Sequence, residues 1–324
     1  LRLPDLLELQ RVFVEGGYTR ILSSTEGPLG LAALYLRHAF QVPAFFFMHT
    51  DWPAFAQQAL GFGTESLDRL TRMLRLYYRG FEGGFVLNDE HRRWLTSREM
   101  GLDPRHVHVT HHWLEPGLFR PAATRREELL PGLSADTPVL LYVGRVSREK
   151  GTADLPVVLR EVRGRLPGAR LVVIGTGPDV ESLKAAVEDL IHVPWIDQER
   201  LPAYYSAADV LVLPSTFDTF GRVALEAISC GLPVAAYDVK GPREILVDGA
   251  SGLLCRSSEE MGRRVADLLL DGEARRGMTV GALERARQFE PERILRRFLE
   301  LAGLPWPEAP EREPTGLGLE PVPR

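Results

Sequence analysis

STFDTFGRVALEAISCGLPVAAYDVKGPREILVDGASG, residues Ser215 to Gly252, decides how the rest of the chain is read. An apolar strand, AADVLVLPS (Ala207–Ser215), runs into it and ends in a short polar turn. A helix is predicted over FGRVALEAISC, Phe220–Cys230. It stops at Gly231, and Pro233 just beyond cannot continue it. LPVAAYD then reads as a second apolar strand, so the stretch is a βαβ unit. Asp218 and Glu226 fall at and inside the helix start. Eight helical residues span roughly 12 Å, so the two carboxylates cannot share one proton or one metal.

Two such carboxylates suit the ends of an extended ligand whose anionic middle lies over a helix N-terminus, where free N–H groups and the helix dipole favour phosphate. A nucleotide-sugar has that shape. The pattern of an acidic residue, seven others and a Glu, set in (D/E)xFGxxxLEAxxxGxPV, resembles the E-x7-E motif of retaining GT-B glycosyltransferases, family 4 (glycosyl transferases group 1). Asp218 stands where that family usually has Glu. The resemblance implies that Thr219, Phe220, Gly221 and Glu226 bind the donor and that Asp218 meets the transferred sugar. The plain alternative is an amphipathic helix with Val223, Leu225 and Ile228 in the core and Glu226 in solvent.

A chain of 324 residues can form two α/β domains, and its 44% hydrophobic and 26% charged content is that of a globular protein. A net charge of −5 makes no case for nucleic acid. No apolar run reaches the roughly 18–20 residues of a spanning helix, and none has the form of a signal peptide. The expected location is cytoplasmic, with peripheral contact at the inner membrane face as an option. Cys230 and Cys255 read as small core residues in a reducing compartment. No two aspartates sit two apart, so the DxD metal site of the other glycosyltransferase architecture is missing.

Outward from the opening stretch, β-like runs recur at Thr19–Ser24, Val42–His49, Gly83–Asn88 and His106–His112, with helical patterns between. After a polar, Pro- and Gly-rich passage from Arg120 to Pro138, a second series follows: VLLYVGR, ARLVVIG, IHVPW, DVLVLPS, LPVAAYD and GLLC. Strands alternating with helices imply parallel sheets. The expected fold is α/β, with two doubly wound, Rossmann-like domains facing a cleft (GT-B). The expected division is 1–135 for the acceptor-side domain and 136–285 for the nucleotide-sugar domain. A helix over 286–303 would brace the first domain, and 304–324 would be a Pro-rich disordered tail. The chain opens on a helix, Leu1–Gln10, where the resembled family has a strand and a Gly-rich loop. A fragment of a longer, multidomain protein is therefore expected, with an open sheet edge and weak transfer.

LLYVGRVSREKG, Leu140–Gly151, ends a strand at Gly144 and carries Arg145 and Lys150 in the loop beyond. Ligands gather at that end of an α/β sheet. Lysine is rare here: of 39 Lys and Arg residues three are Lys (Lys150, Lys184 and Lys240), leaving 36 Arg. Family members resemble this loop with GR-x4-KG, which implies that Gly144, Arg145 and Lys150 hold the donor diphosphate, and that Arg145 and Lys150 stabilise its charge as it leaves. The alternative is a solvated basic loop. Gly175 and Gly177 form a GxG after a strand, but Val180 replaces the third glycine of a nicotinamide fingerprint, so a mostly architectural turn near the base is expected.

FFFMHTDWPAF, Phe45–Phe55, puts His49 and Thr50 at a strand end. The resemblance implies that His49 faces the transferred sugar or its phosphate, with Thr50 and Asp51 on the acceptor side. The alternative is a capped or core histidine. His111 and His112 are adjacent on a strand, point to opposite faces and lack a third ligand, so a metal site is rejected. Where the family has GVD, this chain has Trp113, Leu114 and Glu115. Arg69, Arg72, Arg75 and Arg79 share one face of a helix over Leu67–Tyr78, read as solvated or, alternatively, membrane-facing.

The function expected from these residues and this resemblance is a retaining, metal-independent hexosyltransferase with no cofactor. Its donor would be GDP- or UDP-linked and its acceptor a lipid or glycan, as in bacterial lipid-glycosylating members. The rivals are a degenerate module that only binds nucleotide-sugar, and a GT-B epimerase, for which no carboxylate–histidine set suited to proton transfer can be placed.

Overall fold

β5 (Val139–Val143) shows in five residues why this chain builds its sheets as it does. All five side chains are buried, as in a strand covered on both faces. Leu140 and Tyr142 point into one core cluster, Val139, Leu141 and Val143 into the other, following the two-residue period. The computed structural model describes residues 4–307.

Within it, β1 (Ile21–Ser23), β2 (Ala44–Met48), β3 (Gly83–Val86) and β4 (Val107–Val109) form a parallel sheet in the order β1-β2-β3-β4. The second sheet contains β5, β6 (Arg170–Ile174), β7 (Ile191–Val193), β8 (Val210–Leu213), β9 (Val234–Tyr237) and β10 (Gly252–Cys255). Its order is β10-β9-β8-β5-β6-β7, again all parallel. Each strand coincides with one of the apolar runs read from the sequence. The second sheet reverses direction between β5 and β8, and the loops leaving those neighbours diverge there, where such sheets bind ligands.

One face of the second sheet is covered by helices Leu155–Arg163 and Ser258–Leu270, through Leu155, Val158, Val162, Met261 and Val265. The other cluster is continuous across both domains: Phe47, Phe85 and Leu87 join Phe220, Leu225, Ile228, Phe289 and Ile294. Helix Pro291–Leu301 closes this junction, its Phe298 ring lying 4.4 Å from Phe85 and 6.2 Å from Phe47.

Several boundaries differ from the sequence reading. The opening helix is Leu6–Glu15, because the Asp5 side chain accepts from the Leu7 and Glu8 amides and sets its start. The closing helix is not continuous over 286–303. Helix Gly272–Ala286 gives way to a 3-10 turn, Arg287–Phe289, and a new helix begins at Pro291. Proline cannot donate within a helix and pushes its predecessor extended, as Glu290 is at ψ 132°. The polar passage after Arg120 is packed against the second domain. Its short helix Arg126–Leu129 is tied down by Arg126, which donates to Ala207 O at 2.6 Å and to Asp209 Oδ2 at 3.0 Å. Cys230 and Cys255 are buried and unpaired. From residue 308 on, the expected tail lies outside the described residues.

Candidate active site

A cleft of about 800 Å³ separates the two domains. His49, Thr50 and Phe55 line it from the first domain; Arg145, Arg148, Lys150 and the loop Thr216–Thr219 line it from the second.

Backbone geometry brings the second-domain loops together. After β5 the chain turns at Gly144, and Arg148–Lys150 make a 3-10 turn capped by Gly151 at φ 69°. A Cβ on Gly151 would lie 1.8 Å from the Pro214 carbonyl oxygen, so only glycine lets this loop press against the end of β8. Lys150 Nζ then stands 3.2 Å from Asp218 Oδ1. Gly241 plays the same part behind Asp218, where a Cβ would meet the Asp218 carbonyl oxygen at 2.5 Å. Arg145 is two-thirds exposed, with Glu149 at 3.9 Å. The wall therefore carries three cations, Arg145, Arg148 and Lys150, against two carboxylates.

Asp218 does not sit in the first turn of the following helix. That helix is Arg222–Ser229, four residues later, because Gly221 adopts a left-handed φ of 82° and starts it there. No side chain caps it, so its first amides lack partners from within the helix.

The first domain clamps the Asp218 loop. Thr219 Oγ1 donates to the His49 carbonyl at 3.0 Å, and Asn88 Nδ2 donates to the Thr219 carbonyl at 2.8 Å. His49 stacks on Phe47, with ring centres 4.2 Å apart, and lies nearly parallel to His112 at 5.2 Å. Burial pulls the His49 pKa below its ordinary value. It takes His112 down to about 4, helped by the neighbouring His49, Arg222 and His111. Both rings are therefore neutral near pH 7.

Five predicted residues do not line the open cleft: Gly144, which only turns the chain after β5, and Asp51, Phe220, Gly221 and Glu226. Asp51 is buried. Its carboxylate accepts from the Ala54 amide at 3.0 Å and contacts His91 Nε2 at 3.3 Å and the Lys240 ammonium. Burial alone would raise its pKa, but these partners hold it well below the usual carboxylate range. Its pair with Lys240 joins the two domains. Phe220, 2% exposed, packs among His111, His112 and Phe289. Gly221 serves as the backbone switch into the helix. Glu226 is buried rather than solvated or facing the cavity. Its carboxylate accepts from Tyr205 Oη at 2.9 Å and Arg222 Nε at 3.2 Å, and burial raises its pKa despite both bonds.

Gly175 packs under the cation loop, where a Cβ would sit 1.9 Å from the Gly144 oxygen. Arg148, Phe55 and Asn88 were missed from sequence, and His112 was weighed only as a metal ligand. Only Arg148, inside the already basic loop, carried a local signal. Among the described residues no three His, Cys, Asp or Glu side chains gather closely enough to hold a metal ion. No described helix is long and apolar enough to cross a membrane.

Residues 127–285, which carry the cation loop, the Asp218 loop and the Gly221 helix, match the family model for glycosyl transferases group 1. This part of the chain is a group 1 glycosyltransferase domain. D-inositol 3-phosphate glycosyltransferase of Acidothermus cellulolyticus is 33% identical over 222 residues, covering 60% of this chain and 48% of that protein. Alpha-maltose-1-phosphate synthase of Mycolicibacterium smegmatis is 31% identical over 225 residues, covering 62% and 57%. The chain thus spans about half the length of the curated relatives it matches. In three dimensions the likeness extends over both domains. Sucrose-phosphate synthase from Thermosynechococcus elongatus superposes with a TM-score of 0.80 at 24% identity, over 92% of this chain and 76% of that one. Anabaena HepE in complex with UDP gives 0.77 at 17%, over 92% and 81%. The architecture around the group 1 domain is GT-B.

Proposed function

We propose that the protein is a retaining hexosyltransferase that moves a sugar from a GDP- or UDP-linked donor to a hydroxyl of a lipid or glycan acceptor, without a metal. The observation that carries this reading is the cation wall at the switch point of the second sheet, with Lys150 Nζ 3.2 Å from Asp218 Oδ1 in the same cleft as His49. Arg145, Arg148 and Lys150 hold the donor diphosphate. As the bond from the anomeric carbon to the diphosphate breaks, negative charge grows on the leaving oxygen, and cations already in place stabilise it without reorganising. The acceptor oxygen bonds to the anomeric carbon on the same face, and its proton passes to the leaving phosphate.

Lys150 and Asp218 neutralise each other across the cleft wall. An incoming diphosphate competes for the ammonium and frees the carboxylate to accept from sugar hydroxyls. Neutral His49 can accept or donate one hydrogen bond toward the transferred sugar.

A thermal-shift panel of GDP-, UDP- and ADP-sugars tests donor use, since a ligand at 100 times its Kd adds about 2.7 kcal/mol of stability. NMR of the early product then reads stereochemistry with and without EDTA. Retained configuration unaffected by chelator supports the proposal. Inverted product or loss of activity in EDTA refutes it. Donor binding with no turnover would support the binding-module reading, and an epimerised nucleotide-sugar the epimerase.

A further inference from the structure

A second cavity, of about 270 Å³, opens where the chain crosses between the domains, and it shares no lining residue with the cleft. His111, just past β4, contributes from the first domain. Arg285, Gln288 and Phe289 come from the end of helix Gly272–Ala286 and the turn after it, Arg293 and Arg297 from helix Pro291–Leu301. Arg293 and Arg297 are four apart, hence on one helical face. No carboxylate is among the lining residues.

The charges here are poorly compensated. Arg285 is partly buried over the Phe289 ring, 5.0 Å from its centre. Its guanidinium donates to the carbonyls of Ile245 and Glu244 at 2.8 and 2.6 Å and to the Gln288 side chain, all neutral acceptors. Burial pulls its pKa down, opposed by the charge of Glu244. Arg293 has no ion pair or side-chain hydrogen bond among the described residues, and Arg297 has only an exposed pair with Glu300. His111 Nε2 is buried without a hydrogen bond; the nearest acid, Glu244 Oε2, is 3.8 Å away and out of range. Buried polar atoms almost always have partners, and three arginines around one cavity repel one another unless an anion sits among them. An oxyanion in this cavity would supply both.

We propose that this junction cavity is a second anion site, which takes a phosphate group as inorganic phosphate or as a small phosphomonoester. Guanidinium forks match the geometry of phosphate oxygens. At about 270 Å³ the space falls just below the roughly 300–1,000 Å³ of pockets for drug-sized ligands, which suits a phosphate better than a whole nucleotide-sugar. Held between His111 and the arginines that follow the crossing, the anion would fix the angle between the domains.

Orthophosphate titrated calorimetrically into the full chain, at constant ionic strength in chloride, tests the site. Arg145→Ala/Lys150→Ala disables the cleft and Arg293→Ala/Arg297→Ala the junction; Arg145, Arg293 and Arg297 are exposed and Lys150 is half-buried. Saturable binding should survive in the cleft variant and weaken at least roughly tenfold in the junction variant, the loss expected for a charged hydrogen bond. Arg293→Lys should restore part of it. Glycerol 3-phosphate as a second probe distinguishes the sources: tighter binding than orthophosphate marks a phosphomonoester, weaker binding the free ion. No saturable binding in the cleft variant, or equal affinity in wild type and junction variant, overturns the proposal.

Discussion

Replacing Lys240 by Met should destabilise the protein by about 3 kcal/mol, the lower end of the range for breaking a buried ion pair from one side. The Lys240 side chain is 15% exposed and that of Asp51 12%, so water cannot stand in for the lost partner. Two features keep the loss from being larger. Asp51 retains the Ala54 amide at 3.0 Å and His91 Nε2 at 3.3 Å. Asp51→Ala should cost more, about 4–5 kcal/mol, because it also removes the helix cap, itself worth about 1 kcal/mol. It leaves Lys240 with only the half-exposed Glu90, at 3.3 Å. Since the residues touch, the double variant should lose less than the sum of the singles, by about 0.5–3 kcal/mol. The pH dependence has a defined sign. A carboxyl held below its unfolded value of about 3.9 contributes stability above that pH and loses it as pH falls further. Wild type should therefore weaken below about pH 4 more steeply than Asp51→Ala. Urea unfolding followed by circular dichroism, at neutral pH and through the acid range, measures all of this. A Lys240→Met variant within about 0.5 kcal/mol of wild type, or strictly additive single effects, would refute the argument.

Lys150→Ala should weaken nucleotide-diphosphate binding by about 1.5–3 kcal/mol, and Asp218→Asn, which removes the competitor for the Lys150 ammonium, should leave that affinity equal or tighter while slowing transfer; equilibrium dialysis and initial rates separate the two. His112→Phe should flatten the acid limb of stability. A histidine whose pKa falls to about 4 on folding loses stability as pH drops from roughly 6.5 toward that value, by up to about 3 kcal/mol, read as a steeper fall in Tm for wild type. Tyr205→Phe strips Glu226 of its hydroxyl partner at 2.9 Å and should cost about 1–3 kcal/mol in urea unfolding.

How much of this could be read in advance depended on how local each signal was. The strands were legible because runs such as VLLYV and LVVI must bury both faces, and bounding glycines and prolines mark their ends. Arg145, Lys150, Asp218 and His49 were legible because strand-end loops collect ligands. The structure adds that they line one cavity. The start of helix Arg222–Ser229 was read two residues early, at Phe220, because Gly221 takes a positive φ and delays the first helical turn. The orientation of Glu226 was hidden by a partner 21 residues away, Tyr205, and that of Asp51 by Lys240, 189 residues away. Periodicity constrains which face a residue occupies, but it says nothing of a side chain arriving from another domain. The stacking role of His112 was hidden for the same reason: the ring it lies against belongs to a different strand.

The polypeptide passes between the domains twice, once in the stretch from β4 to β5 and again at the Arg287–Phe289 turn before helix Pro291–Leu301. A single connection would act like a ball joint, allowing one domain to swivel on the other in any direction. Two connections define a line, and rigid motion about a line is rotation in one plane, as with a door on two pins. Motion off that line would also have to part Phe298 from Phe85 and Phe47 at the junction. The Thr219–His49 and Asn88–Thr219 bonds act as the bolt of that door, and the Lys240–Asp51 pair ties the same two domains. Any gaping at this edge must first break the contacts that set the distance between Asp218 and His49.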